Sequence, residues 1–170
     1  MRRFTLRAGR LNRIQRIVVA LAAATLVVAA IGGYAWFGHH QANERDSTAR
    51  VCAAAATPAA QAIFSYDYRT FDASVANARP FIAGDFASEY AKTTASLKAT
   101  AVSVKAVVQA QVSAVGLVDT ARDGKVDVMV YLNQYRRNAN ISGEKVDQDR
   151  VVLTMVRSGN GCKVDNAAAI

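Results

Sequence analysis

The run from Ile17 to Gly38, IVVALAAATLVVAAIGGYAWFG, holds twenty-two residues and no charge. As a helix rising ~1.5 Å per residue it would reach roughly 33 Å, enough to cross a ~30 Å hydrocarbon layer. A segment apolar on every face needs lipid or a large protein interior around it. Arg2, Arg3, Arg7, Arg10, Arg13 and Arg16 precede it with no acid among them, and every Asp and Glu follows it. Basic flanks stay in the cytoplasm. The pattern therefore predicts a cytoplasmic basic tail (1–16), a single-pass transmembrane anchor (17–38) in the plasma (inner) membrane, and an extracytoplasmic domain (39–170). Tyr34, Trp36 and Phe37 stand at the exit, where aromatic rings favour the headgroup region.

Other readings of this stretch fit less well. A cleaved signal peptide has an apolar stretch of ~7–15 residues and a small-x-small cleavage site, whereas this run is longer and meets bulky aromatics. The residues around Arg2-Arg3 suit twin-arginine export poorly, and Thr48-Ala49-Arg50-Val51 before Cys52 does not read as a lipobox. Ala29 and Gly33 have the small-xxx-small spacing that packs membrane helices together, a weak signal in an Ala-rich run.

The formal charge of +8 suggests nucleic acid as a partner, but its distribution argues against that. Six of the twenty-one basic residues belong to the tail, leaving fifteen against thirteen acids, about +2, beyond the anchor. No basic stripe interleaved with aromatics is present, so no nucleic-acid partner is expected. The tail is better explained as an orientation signal in contact with anionic headgroups. About 130 residues after the anchor suffice for one compact domain.

Cys52 and Cys162 are the two cysteines, both beyond the membrane. An even count outside the cytoplasm argues for a disulfide; two unrelated buried thiols are the alternative. Joined, they would clip the start of the domain to its last segment.

From Gln41 the chain favours helix, with Ala49, Cys52, Ala53, Ala56, Ala60, Ile63 and Phe64 on one face. This helix is expected to continue the anchor after a break near Gly38. Pro58 predicts a kink or a restart capped by Thr57. Ser65 to Tyr68 should close it, a short helix should begin at Asp72 and end before Pro80, and a third should open at Asp85 with Phe86, Tyr90 and Leu97 on one side. From Val102 the period becomes two, through Val104, Ala106, Val108, Ala110 and Val112, which predicts a long half-buried strand. Asp123-Gly124 marks a hairpin, and Lys125 to Tyr135 resumes the alternation. Arg136 to Gln148 is polar and reads as a mobile loop. Arg150 to Arg157 is a third strand, Gly159-Asn160-Gly161 a turn, and Cys162 to Asn166 a fourth strand.

Helices at about 41–100 followed by a meander at about 102–168 predict an α+β domain, helices packed on a curved antiparallel sheet of about four strands. The expected core sets Ile63, Phe64, Phe71, Phe81, Phe86, Tyr90 and Leu97 against Val108, Val112, Val128, Val130, Leu153 and Met155.

The segments Phe64-Ser65-Tyr66-Asp67-Tyr68, Asp72, Gly84-Asp85-Phe86 and Gly161-Cys162-Lys163-Val164, behind a basic tail and one anchor, resemble the Mce-associated (mammalian cell entry) membrane proteins of actinobacteria. The resemblance covers most of the extracytoplasmic domain. A tryptophan expected near the last strand is absent, and Cys162 occupies that region. The resemblance implies a cone-like fold related to nuclear transport factor two, a shape similar to the periplasmic domain of a type IV secretion assembly factor. It also implies an accessory subunit that stabilises Mce-type lipid import complexes, with Mce subunits or related envelope proteins as partners.

No reactive constellation accompanies that resemblance. His39 and His40 are adjacent and point to different sides of a helix, so they make no two-ligand metal face. Asn140-Ile141-Ser142 matches a glycosylation acceptor by a weak three-residue pattern. Asp67 between Tyr66 and Tyr68, or Asp127 near Tyr131 and Tyr135, could imitate the Asp–Tyr pair of cone-shaped enzymes. Asp67 is better read as a helix terminator and Asp127 as a solvent-facing strand residue. The expectation is therefore a non-enzymatic membrane subunit without catalytic residues, cofactor or metal. The rival readings are a lipid-binding carrier with a closed apolar cavity and a secretion-system assembly subunit of similar shape. Lipid and a second copy of the chain stand as further candidate partners.

Overall fold

The computed structural model describes residues 12–120 and 124–170. These fall into two compact units, the first ending at Asn43 and the second running from Glu44 to Ile170. Helix α1 (Arg13–Ile63) begins in the first unit. Its most apolar window has a mean hydropathy of 2.3, and it is the one helix among the described residues long and apolar enough to cross a membrane. Leu26 and Trp36 are 72% and 77% exposed along it. The expected break near Gly38 is absent, and Gly32, Gly33 and Gly38 all remain helical. Asp123 of the expected hairpin turn, and Arg2, Arg3, Arg7 and Arg10 of the tail, lie outside the described residues.

In the second unit, Ala49, Cys52, Ala56, Ala59, Ala60 and Ile63 form the buried stripe of α1. Pro58 lies inside α1 and does not restart it. Pro58 and Ala54 are both exposed, so the carbonyl that the proline leaves without its donor faces solvent. After α1 come β1 (Tyr66–Asp67), a 3-10 turn over Tyr68–Thr70, α2 (Phe71–Ala78), a second 3-10 turn over Arg79–Phe81, and α3 (Phe86–Ser103). Asp72 does not cap α2; Thr70 holds the cap position without a side-chain bond. Asp72 instead accepts from Lys98 Nζ at 2.6 and 2.8 Å, tying α2 to α3.

The sheet has five antiparallel strands in chain order, not four: β1, β2 (Val107–Thr120), β3 (Lys125–Arg137), β4 (Lys145–Ser158) and β5 (Gly161–Ala169). β1 was hidden in the expected helix end; it pairs Tyr66 with Val108 and Asp67 with Val107. The stretch from Val102 to Ala106 is not strand. α3 persists to Ser103, then Lys105 turns at φ 53°. Lys105 N–H donates to the Val102 carbonyl at 3.2 Å and Ala106 N–H to the Ala101 carbonyl at 2.8 Å, the paired bonds of a Schellman cap. The expected loop Arg136–Gln148 is also corrected. β3 and β4 continue into it, Arg136 opposite Lys145 and Gln134 opposite Asp147, so only residues 138–144 connect them.

The inner sheet face follows from the register. Val126, Val128, Val130 and Leu132 on β3 lie beside Val151, Leu153 and Met155 on β4 and Val164 on β5, all buried, and they join the α1 stripe in one core. Burying each such side chain contributes about 1.5–3 kcal/mol. Register shifts beside Ser113, Val118 and Asp165 add residues that bend the strands. Of the expected core aromatics only Phe71 is buried. Phe64, Phe81, Phe86 and Tyr90 are half-buried at the margin of the core.

Candidate functional site

Three of those half-buried rings, Phe64, Phe86 and Tyr90, line a cleft. The end of α1 supplies Ile63 and Phe64, β1 supplies Tyr66, α2 supplies Phe71 and Val75, and one side of α3 supplies Phe86, Glu89, Tyr90, Thr93, Thr94 and Leu97. Gln134 and Ala167 come from the sheet, and Ser65 completes the wall. Spacing of three and four residues along α3 places its contributors on one side, as its sequence suggested. The cleft holds about 300 Å³, at the bottom of the range for small-molecule sites. Exposed Glu89 and Thr93 in its wall open it to solvent. The lipid-carrier expectation of a closed apolar cavity is thus corrected to an open cleft with a polar lip.

Burial raises both phenols in the cleft, Tyr66 and Tyr90, above their ordinary value, so they remain neutral donors at neutral pH. Arg136 counteracts part of that shift at Tyr66. The Tyr90 hydroxyl points at the Ile63 carbonyl across 3.4 Å, and Tyr66 meets Phe71 edge-on at 5.5 Å between ring centres. Ser65 Oγ accepts from Ala110 N–H at 2.9 Å, closing the β2 edge beside β1. Glu89 is the one charged residue in the wall, and it makes no ion pair among the described residues.

Apart from Tyr66, which lines the cleft, the residues singled out in the sequence for their chemistry lie outside it, and the two cysteines are the pair brought into bonding contact. Asp67 starts a 3-10 turn; it does not end a helix. Its Oδ1 accepts from Arg69 N–H at 2.9 Å and from Arg69 Nε at 3.0 Å. The Arg69 guanidinium and backbone N–H hold its carboxyl below the ordinary value, the wrong direction for a base near neutrality. Asp127 accepts from Thr154 Oγ1 at 2.8 Å on the outer sheet face; Tyr131 and Tyr135 share that face by strand parity. Cys52 on α1 and Cys162 at the start of β5 are joined by a disulfide, with Cα atoms 5.0 Å apart. His39 and His40 are exposed on α1, and no group of three potential metal ligands occurs among the described residues. Asn140 lies exposed in the 138–144 connection. The sequence reading missed the cleft because aromatics spaced along helices look alike whether they fill a core or wall a groove.

No family model matches the chain, and no curated protein matches it. Solved structures do match. CagV, a VirB8 homologue of the type IV secretion system of Helicobacter pylori, aligns with a TM-score of 0.56 at 10% identity, over 69% of this chain and 94% of that one. An IcmL-like type IV secretion protein of Legionella pneumophila aligns at 0.57 and 17% identity, over 69% and 88%. The periplasmic domain of DotI aligns at 0.53 and 17% identity, over 69% and 91%. The domain has a VirB8-like fold. This fold is the α+β, nuclear-transport-factor-two-like shape expected from the sequence, with a fifth strand. The expected role beside an Mce lipid importer is overturned, because these neighbours are VirB8-like proteins and not Mce-associated ones.

Proposed function

We propose that the chain is a membrane-anchored assembly subunit of a type IV secretion-like envelope complex. In this reading the arginine flank lies in the cytoplasm, α1 crosses the inner membrane, and Glu44–Ile170 works outside it by binding neighbours, not by catalysis. The single observation that carries the reading is the VirB8-like fold behind a membrane-length helix: the alignment spans nearly the whole of CagV and of the IcmL-like protein. Identities of 10% and 17% make this an argument from shape. The lowered carboxyl of Asp67, held by Arg69, and the Asp127 carboxylate taken up by Thr154 support a binding role over a catalytic one. Partners are other envelope subunits, with a second copy of the chain among the candidates.

The test is recovery of the tagged full chain from gently solubilised membranes of its own cells, followed by protein identification. The expected result is a multi-protein envelope assembly containing channel or scaffold subunits of a secretion machine. Recovery of Mce subunits alone, or of the chain alone at its monomer mass, would overturn the proposal. A protease added to spheroplasts should also remove a tag placed after Ile170, whereas a shielded tag would reverse the orientation.

A further inference from the structure

We infer that the cleft beside α3 is a docking site for a partner segment presenting an apolar side chain next to a lysine or arginine. The inference rests on the assembly-subunit reading and names the chemistry of one partner. Phe64, Phe86 and Tyr90 are large rings left half-buried at the edge of a core built from valine, leucine and alanine. A concave pocket lined mostly by aromatic and aliphatic side chains with a few polar groups at its edge is the usual form of a binding site. A volume of about 300 Å³ suits an anchoring side chain or a short segment better than a lipid tail.

Charge selects among occupants. Glu89 is exposed in the wall of the cleft and makes no ion pair among the described residues, although Lys92 lies one turn along the same helix. A carboxylate at the lip repels a fatty-acid or anionic phospholipid headgroup and attracts an ammonium or guanidinium. Thr93 and Gln134 offer neutral hydrogen-bonding groups to the backbone of such a segment. An apolar anchor held in a small pocket, with a rim charge setting its direction, is a recurrent form of protein recognition.

The experiment uses the full chain in lipid nanodiscs, with empty nanodiscs as reference, and three probes. Two are end-blocked peptides, Gly-Leu-Phe-Leu-Lys-Lys-Gly and Gly-Leu-Phe-Leu-Glu-Glu-Gly; the third is dodecanoate. The lysine peptide should bind with a sub-millimolar Kd and at least about tenfold more tightly than the glutamate peptide. Thr93→Trp, which fills the cleft, should weaken it about tenfold or more. Glu89→Gln, an exposed change that leaves the fold intact, should weaken it about threefold, the size of an exposed ion pair. Equal binding of both peptides, indifference to Thr93→Trp, or no binding at millimolar peptide would overturn the inference. Dodecanoate displacing the peptide, with tighter dodecanoate binding in Glu89→Gln, would overturn it in favour of lipid. Failure here with the envelope assembly still recovered would leave the assembly role standing. Peptide binding without that assembly would remove the role and keep the cleft.

Discussion

The Asp165 carboxylate lies so close over Gly84 that a β-carbon at Gly84 would overlap its Oδ1, while its Oδ2 takes a 2.8 Å ion pair from Lys125. Asp165 is the extra residue of the β5 bulge, between the Thr154–Asn166 and Met155–Val164 pairs. One carboxylate thus joins the start of β3 to the segment entering α3. Beside it, Ala83 N–H donates to the Val164 carbonyl at 2.8 Å and covers part of the β5 edge.

Gly84→Ala should therefore destabilise the domain twice, through its φ of +56° and through overlap with Asp165. The backbone contribution alone is about 1–3 kcal/mol. Urea unfolding of Gly84→Ala, of Asp165→Ala (which alone loses the Lys125 ion pair) and of the double variant, compared with Asp165→Ala, separates the two. The double variant should recover the overlap and retain the backbone cost. A single variant as stable as the parent would refute this account of the glycine.

Lys105→Gly should stabilise the domain by about 1 kcal/mol, because a β-carbon is disfavoured in the left-handed region that the end of α3 requires. Thermal or urea unfolding measures it. A loss of stability would mean that the lysine side chain contributes more than its backbone strain removes.

Much of the sheet was legible in the sequence, because Val126, Val128, Val130 and Leu132 alternate strictly and cover one face. The places that misled have specific causes. At Lys105 the helix ends on a residue other than the usual glycine, so Val102 to Ala106 looked like strand. β1 is two residues long and exists only because Val107 and Val108 lie opposite it. The Arg136–Gln148 stretch is polar on both faces; cross-strand ion pairs such as Arg136 with Asp147 extend it, where a hydrophobic pattern would have been read at once. The disposition of Phe64, Phe86 and Tyr90 around the cleft depends on how three helices meet the sheet, which no spacing within one helix records.

Replacing Cys52 and Cys162 by serine should cost about 2–5 kcal/mol, since their bond closes a separation of 110 residues. Both residues are buried, at 0% and 7% exposure. In membranes from cells, a maleimide reagent should label neither thiol until denaturant and reductant are added together. Labelling of the native chain without reductant would show that the bond does not form there.

Acid should weaken the β1 corner. The Asp67 carboxyl is lowered by Arg69, so its contribution is complete above the ordinary carboxylate value and disappears as pH falls through the lowered one. Arg69 is exposed and Asp67 half-buried, so solvent screens the pair and the effect is small. Asp67→Asn should lower the urea midpoint near neutral pH and converge with the parent in strong acid. A difference independent of pH would assign the loss to the turn's hydrogen bonds and not to charge.

Cross-linking mass spectrometry on intact cell membranes tests most directly the proposal that Glu44–Ile170 is an assembly module of a secretion-like machine. The expected result is a set of links from lysines of this domain, Lys92 and Lys98 on α3 among them, to several subunits of one envelope-spanning secretion assembly. Links confined to lipid-import subunits, or links only within the chain itself, would contradict it.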